Sequence, residues 1–155
     1  MTSVTMKHVV QRTMTSYFLS THNVSYATVL PSFFRFKTTA HNISIESNSF
    51  SGLSSLKYLS LRGVSIGCIE ANAFSRLYNL QTLYLTNVTI GNIESNAFSG
   101  MSYLYVMRMK SVSIGTLESN AFSGLYSLNT LDIGTVSIDS IESNDSTGLS
   151  SLLSL

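Results

Sequence analysis

A 24-residue step runs through this chain and limits what it can fold into. Glu46, Glu70, Glu94, Glu118 and Glu142 follow it, as do Asn48, Asn72, Asn96, Asn120 and Asn144. It carries Phe50 to Phe74, Phe98 and Phe122, and Leu53 to Leu77, Met101, Leu125 and Leu149. It also carries Leu56 to Leu80, Leu104, Leu128 and Leu152. A constant period of this length means one supersecondary unit repeated along an axis. A lone unit this short would leave half its apolar surface in water, so each unit needs its neighbours to fold.

One unit, residues 69–92, reads I-E-x-N-A-F-S-x-L-x-x-L-x-x-L-x-L-x-x-V-x-I-x-x. Leu83 and Leu85 alternate with Thr82, Tyr84 and Thr86. A period of two marks a short strand with one buried face. The spacing predicts parallel strands near 57–61, 81–85, 105–109 and 129–133, with a stub at 153–155. Between strands, the apolar residues at 74, 77 and 80 predict a 3₁₀ or irregular turn. Strand plus turn within a single period is one coil of a solenoid.

The segment Leu80-x-x-Leu83-x-Leu85 within this repeat resembles the leucine-rich-repeat family, and the match covers Glu46 to Leu155. The 24-residue length and the pairs Ala73-Phe74, Ala97-Phe98 and Ala121-Phe122 are similar to repeats of Toll-, Slit- and small-proteoglycan-type ectodomains. The resemblance implies an α/β-type repeat solenoid: an arc with a concave parallel sheet, used for binding, and an irregular or 3₁₀ convex side. The chain departs from the family pattern in one column. Where the family has an asparagine that bonds neighbouring coils, this chain has Val64, Val88, Val112 and Val136. Those backbone groups must then be satisfied by water or by tighter turns. The asparagines at 72, 96, 120 and 144 stand where the family often has glycine, and read as left-handed turn residues.

Residues 1–29 are a lead-in without the repeat, and 30–155 form the solenoid. Its degenerate first coil, Leu30 to Ile45 with one residue inserted, precedes four full repeats and a truncated last one. In that last unit Asp145 and Ser146 replace the Ala-Phe pair, and Leu149, Leu152, Leu153 and Leu155 form an apolar end. An uncapped end of this kind exposes an open strand edge, which predicts fraying, self-association or a continuation.

Composition suits this architecture. Of 155 residues, 44% are hydrophobic and only 11% charged, against roughly 25% charged in an ordinary soluble domain. Serine, threonine, asparagine and tyrosine supply the polarity. The net charge of +1 gives no global pull toward nucleic acid or anionic membrane. No apolar run reaches the length of a membrane span. Residues 1–45 hold no acidic side chain but carry Lys7, Arg12, Arg35 and Lys37. This composition overlaps with organelle transit peptides, while His8, Gln11 and Arg12 interrupt any secretory-signal core. The single Cys68 can form no internal disulfide. It shares a column with Asn92, Thr116 and Ser140 and is expected to be exposed and incidental.

The outward residues of the predicted strands are the candidate binding surface: Tyr58, Ser60 and Arg62; Thr82, Tyr84 and Thr86; Val106, Arg108 and Lys110; Thr130, Asp132 and Gly134. Strands about 5 Å apart merge these into one patch, flanked by Lys57 and Tyr105. Tyrosine with arginine is the pairing enriched at interface hot spots. A protein is the leading ligand class and an anionic glycan the second; nucleic acid is not expected. Glycosylation sequons begin at Asn23, Asn42, Asn87 and Asn144 and matter only in a secretory setting. The glutamate column is expected to be a solvated file, too sparse to hold a metal. His8, His22 and His41 all precede the regular repeats, so no Ser-His-acid or Cys-His set arises within them. No cofactor, metal or catalytic residue is expected. Three readings stand: a recognition module of a receptor- or adhesion-type ectodomain, extracellular or on the cell surface; a cytoplasmic repeat scaffold; or a truncated repeat product without a ligand.

Overall fold

The computed structural model describes residues 24–30, 32–38 and 42–142. These form nine strands: β1 (Val24–Leu30), β2 (Phe33–Thr38), β3 (Ile43–Ile45), β4 (Tyr58–Arg62), β5 (Ser65–Ile69), β6 (Thr82–Ile93), β7 (Val106–Leu117), β8 (Thr130–Ile133) and β9 (Val136–Ile141). The remaining described residues form turns and connections, with no helix among them. The expected strands are present and begin one residue later than predicted. The stub at 153–155, the leucines of the last unit and the histidines lie outside the described residues.

The sheet is two parallel ladders joined by long strands. In the first, β2, β4, the first half of β6, the first half of β7, and β8 pair in that order. In the second, β3, β5, the second half of β6, the second half of β7, and β9 do the same. Between coils of the regular repeat the register advances by one full period, as in Leu59↔Leu83 and Leu83↔Met107. The first coil is offset by 25 at Phe34↔Leu59 and by 24 at Ile45↔Ile69. The step from Phe36 to Ile43 is two residues longer than its partner step from Leu61 to Ile66, and a register shift between Ile43 and Ser44 returns one of them. β1 runs antiparallel to β2, closing that edge of β2 with a hairpin.

The second ladder is an addition to the strand-and-turn coil that alternation predicts. Its cause is visible in the buried positions of one coil: Leu83, Leu85, Val88, Ile90 and Ile93. Steps of two keep side chains on one face of a strand. The steps of three, from 85 to 88 and from 90 to 93, are corners where the chain turns and keeps its apolar side inward. At the first corner Gly63, Asn87 and Ser111 take left-handed backbone (φ 61°, 53° and 55°). This answers the valine column. The Gly63 amide donates to the Thr86 carbonyl at 2.9 Å, and the Thr89 amide to the Val64 carbonyl at 3.1 Å. The tighter turn thus does what a side-chain amide would do, and valine only fills the core. At the second corner the coils nearly touch. A Cβ on Gly91 would stand 2.5 Å from the Gly67 carbonyl oxygen, and one on Gly115 the same distance from that of Gly91. Only glycine fits at these two positions.

The turn segment closes each coil with isolated i→i+3 bonds. In one coil Ala73 donates to Glu70, Ser75 to Asn72, Leu77 to Phe74 and Leu80 to Leu77, at 2.9–3.1 Å. Asn48, Asn72, Asn96 and Asn120 are left-handed here (φ 57–60°), as expected of that column. They also bond from coil to coil: the Asn72 amide donates to the Asn96 carbonyl at 3.2 Å, and Ser99 Oγ donates to Asn72 Oδ1 at 2.7 Å.

A file of rings runs up the core. Phe50, Phe74, Phe98 and Phe122 stack at centroid spacings of 5.3, 5.2 and 4.9 Å with planes within 13°. Phe34 of the first coil meets Phe50 edge-on at 6.3 Å. Phe74 is fully buried between two rings. Phe74→Ala is expected to cost about 3–5 kcal/mol, and Phe74→Leu roughly a third of that. Urea unfolding of the two variants checks this, and a loss below about 1 kcal/mol for the alanine variant would remove the ring file as a main support of the fold.

Candidate functional site

Parallel pairing puts the outward residues of the first ladder in straight rows. One row is Tyr58↔Thr82↔Val106↔Thr130, the next Ser60↔Tyr84↔Arg108↔Asp132, and the third Arg62↔Thr86↔Lys110. Every residue of the expected patch is therefore on one face. Ser60 alone is buried within it, at 7% exposure. Arg62, Arg108 and Lys110 are exposed, and Gly134 leaves the rim of the third row without a side chain. Lys57 and Tyr105 flank the first row, both exposed.

The face extends one coil further than the repeat frame implies. Phe33 pairs with Tyr58 and Arg35 with Ser60, adding an aromatic and a basic side chain. The inserted residue of the first coil shifts these two out of the column count. The signal that could have found them is the run Phe33-Phe34-Arg35-Phe36, which alternates as the other strands do once the inserted residue is allowed for.

These side chains form a connected line across the ladder. Phe33 stacks on Tyr58 at 4.8 Å and 15°, and Tyr58 meets Tyr84 edge-to-face at 5.0 Å. The Arg108 guanidinium lies 5.1 Å from the Tyr84 ring centroid and donates to the Tyr84 hydroxyl at 2.9 Å. Arg108 Nε is 3.3 Å from Asp132 Oδ2, and Lys110 Nζ is 3.5 Å from the same oxygen. Ion pairs this exposed contribute at most about 1 kcal/mol. Their consequence is geometric, since they fix the directions of two long side chains, Arg108 and Lys110. Burial pushes the Tyr58 hydroxyl above its ordinary value; the neighbouring Tyr84 adds to this, while the Arg35 and Arg108 guanidinia pull it down. Tyr58 therefore stays a neutral hydrogen-bonding phenol. Among the described residues of this face, Arg35, Arg62, Arg108 and Lys110 stand with one carboxylate, Asp132, so the surface is locally basic.

The glutamate column differs from the expected solvated file. Three of the five glutamates reach back one coil and accept a backbone amide: Glu70 from Ser47 at 3.0 Å, Glu94 from Ala71 at 2.9 Å and Glu118 from Ser95 at 3.0 Å. Glu118 also accepts from Asn92 Nδ2 at 2.9 Å, and these bonds hold its carboxyl below the ordinary carboxylate value. The column is a structural clamp between coils. Cys68 is likewise half-buried rather than exposed, with Sγ 3.5 Å from Glu94 Oε1. Burial first, then the nearby Glu94 carboxylate, push the thiol up to about 12, so it is a protonated donor at neutral pH and a poor nucleophile. Among the described residues, no three His, Cys, Asp or Glu side chains converge on a point. No helix there is long and apolar enough to cross a membrane. Of the sequon asparagines, Asn42 and Asn87 are exposed and left-handed (φ 56° and 53°). Asn23 and Asn144 lie outside the described residues.

Chemically, this arrangement offers a contact surface: an aromatic and basic strip held by backbone ladders. Comparison with known proteins agrees with that reading of the fold. No curated protein sequence matches the chain significantly. Among solved structures, the chain is similar to one described as the crystal structure of the TLR13-ssRNA13 complex, with a TM-score of 0.52 at 20% identity. That similarity covers 76% of this chain and only 20% of the other, and at such identity it concerns the fold. A model of the BspA type leucine rich repeat region matches residues 30–145 in six copies. The repeats, the stacked parallel coils and this match agree: the chain belongs to the leucine-rich-repeat proteins, in the BspA-type family.

Proposed function

We propose that the chain is a protein-recognition module that binds through the outer face of the first ladder, the concave face of the family's arc. The observation that carries this is the connected line from Phe33 through Tyr58, Tyr84 and Arg108 to Asp132. Its side chains are already ordered by one another, so little rotamer entropy remains to be lost on binding. Tyrosine and arginine are the residues that most often dominate binding energy. Four basic groups against one acid favour a partner with an acidic surface, and association should weaken as salt rises.

We read the module as part of a receptor- or adhesion-type ectodomain, extracellular or on the cell surface, with a cytoplasmic scaffold as the second reading. Asn87 supports the first reading: it is an exposed sequon asparagine directly after the third row of the face. A glycan there would border the binding strip without covering it. The net charge of +1 disfavours nucleic acid as the general ligand class, although the similar structure is titled a complex with ssRNA13.

Two measurements test this. Arg62→Glu, Arg108→Glu and Lys110→Glu combined should abolish capture of the wild type's partner while leaving the melting temperature within a few degrees, because all three side chains are exposed. Retention of the same partner by the triple variant contradicts the binding face. If the partner lost is RNA, removed by nuclease, then the face is right and the ligand class is wrong. For the compartment, the chain expressed in animal cells should shift downward on a gel after glycosidase treatment, and Asn87→Gln should remove part of that shift. An unshifted chain in the cytosolic fraction overturns the ectodomain reading.

A further inference from the structure

The first ladder has an edge as well as a face. Where each coil's turn segment enters its strand, four tyrosines stand out in solvent: Tyr78 at 46% exposure, Tyr103 at 64%, Tyr105 at 54% and Tyr126 at 86%. Rings of this size lose apolar stabilisation by standing in water, and none of the four is needed by the core. Arg76 Nη1 donates to the Tyr78 hydroxyl. Among the described residues, Tyr103 and Tyr105 stack on no other ring, and their hydroxyls make no hydrogen bond.

Between Tyr103 and Tyr105 lies an open hollow of about 510 Å³, lined by Gln81, Thr82, Tyr103, Tyr105, Val106 and Ser127. Three successive coils build it. The backbone under it is fixed: the amides of Tyr105 and Val106 both donate to the Gln81 carbonyl, at 2.9 and 3.0 Å, and that of Asn129 donates to the Tyr105 carbonyl at 3.0 Å. Ser127 Oγ donates to the Ser102 carbonyl at 2.6 Å, which leaves its lone pairs free to accept.

The lining decides what fits. It holds no charged side chain, in contrast to the basic strip beside it, so it offers nothing to select an ion. It is shallow and open, so a wholly apolar ligand would stay half in water. It combines two aromatic rings and the Val106 methyl groups with an amide and four hydroxyls. That set matches a molecule with an apolar C–H face and a hydroxylated rim, which keeps part of its hydration when bound. The geometry points to a second ligand site at this edge, taking a neutral saccharide between Tyr103 and Tyr105. The site goes beyond the protein-binding reading and does not need it: the two share Thr82 and Val106, and Tyr105 flanks the face, at the boundary between edge and face.

The test is isothermal titration of the full chain with three neutral probes: maltohexaose, cellohexaose and the β-1,4-linked N-acetylglucosamine hexamer. At least one is expected to bind. Tyr103→Ala with Tyr105→Ala should weaken that binding by at least about tenfold, and Gln81→Ala by a smaller factor. Arg108→Glu should leave it unchanged, which separates this site from the basic strip. All three side chains substituted at the edge are solvent-exposed, so circular-dichroism melts should match the wild type, and Gln81→Ala serves as the independent variant if the double alanine variant folds poorly. Absence of binding to all three probes overturns the proposal. So does sugar binding that survives the double variant, or that is lost in Arg108→Glu.

Discussion

Parallel backbone hydrogen bonding between successive coils, at a constant offset of one repeat, is the constraint that the rest of this molecule serves. A coil of this length cannot bury its own apolar side, so its backbone must find partners in the coils above and below. Each conspicuous column follows from that requirement. Left-handed asparagines let the turn segment present amides and carbonyls along the axis. Glycine at 91 and 115 permits carbonyl approach that any Cβ would block. Glutamates at 70, 94 and 118 accept amides that the ladders leave over. The stacked phenylalanines then fill the remaining space at the pitch that the ladders set.

Much of this was legible in the residues themselves. Alternation at Leu83 and Leu85 located the strand, the apolar spacing at 74, 77 and 80 located the buried turn, and the outward positions of four strands gave the rows of the face. The second ladder was not legible. Its segments contribute only a Val-x-Ile pair before a glycine breaks the period, too short a run to display alternation. The glutamate clamp was hidden for a different reason. A carboxylate at constant spacing looks the same whether it faces water or a backbone amide one coil away, and only the coil separation distinguishes the two. Phe33 and Arg35 were missed because a single inserted residue moves them off the repeat frame while leaving them in register in space. Val24–Leu30 carries no repeat signal at all, and its antiparallel pairing to the first coil is a tertiary matter.

The candidate surface inherits its order from the same constraint. Because neighbouring strands keep one register, a residue type placed at one column recurs as a row, and a few substitutions along the row create a connected strip. Tyr84 and Arg108 meet in this way within one row, and Tyr58 reaches Tyr84 from the row beside it. A surface built on stacked ladders needs little reorganisation to make contact, and the side chains that occupy its rows decide what it can complement.

The claim on which all of this depends is that both sides of each coil are bonded to their neighbours. Amide hydrogen exchange read residue by residue tests it most directly. The account predicts that amides within Ser65–Ile69 and the second halves of Thr82–Ile93 and Val106–Leu117 are protected as strongly as those of Tyr58–Arg62 and the first halves of the same long strands. Exchange of the second set at the rate of the intervening turns, with the first set protected, would contradict it and leave a single ladder with an irregular back.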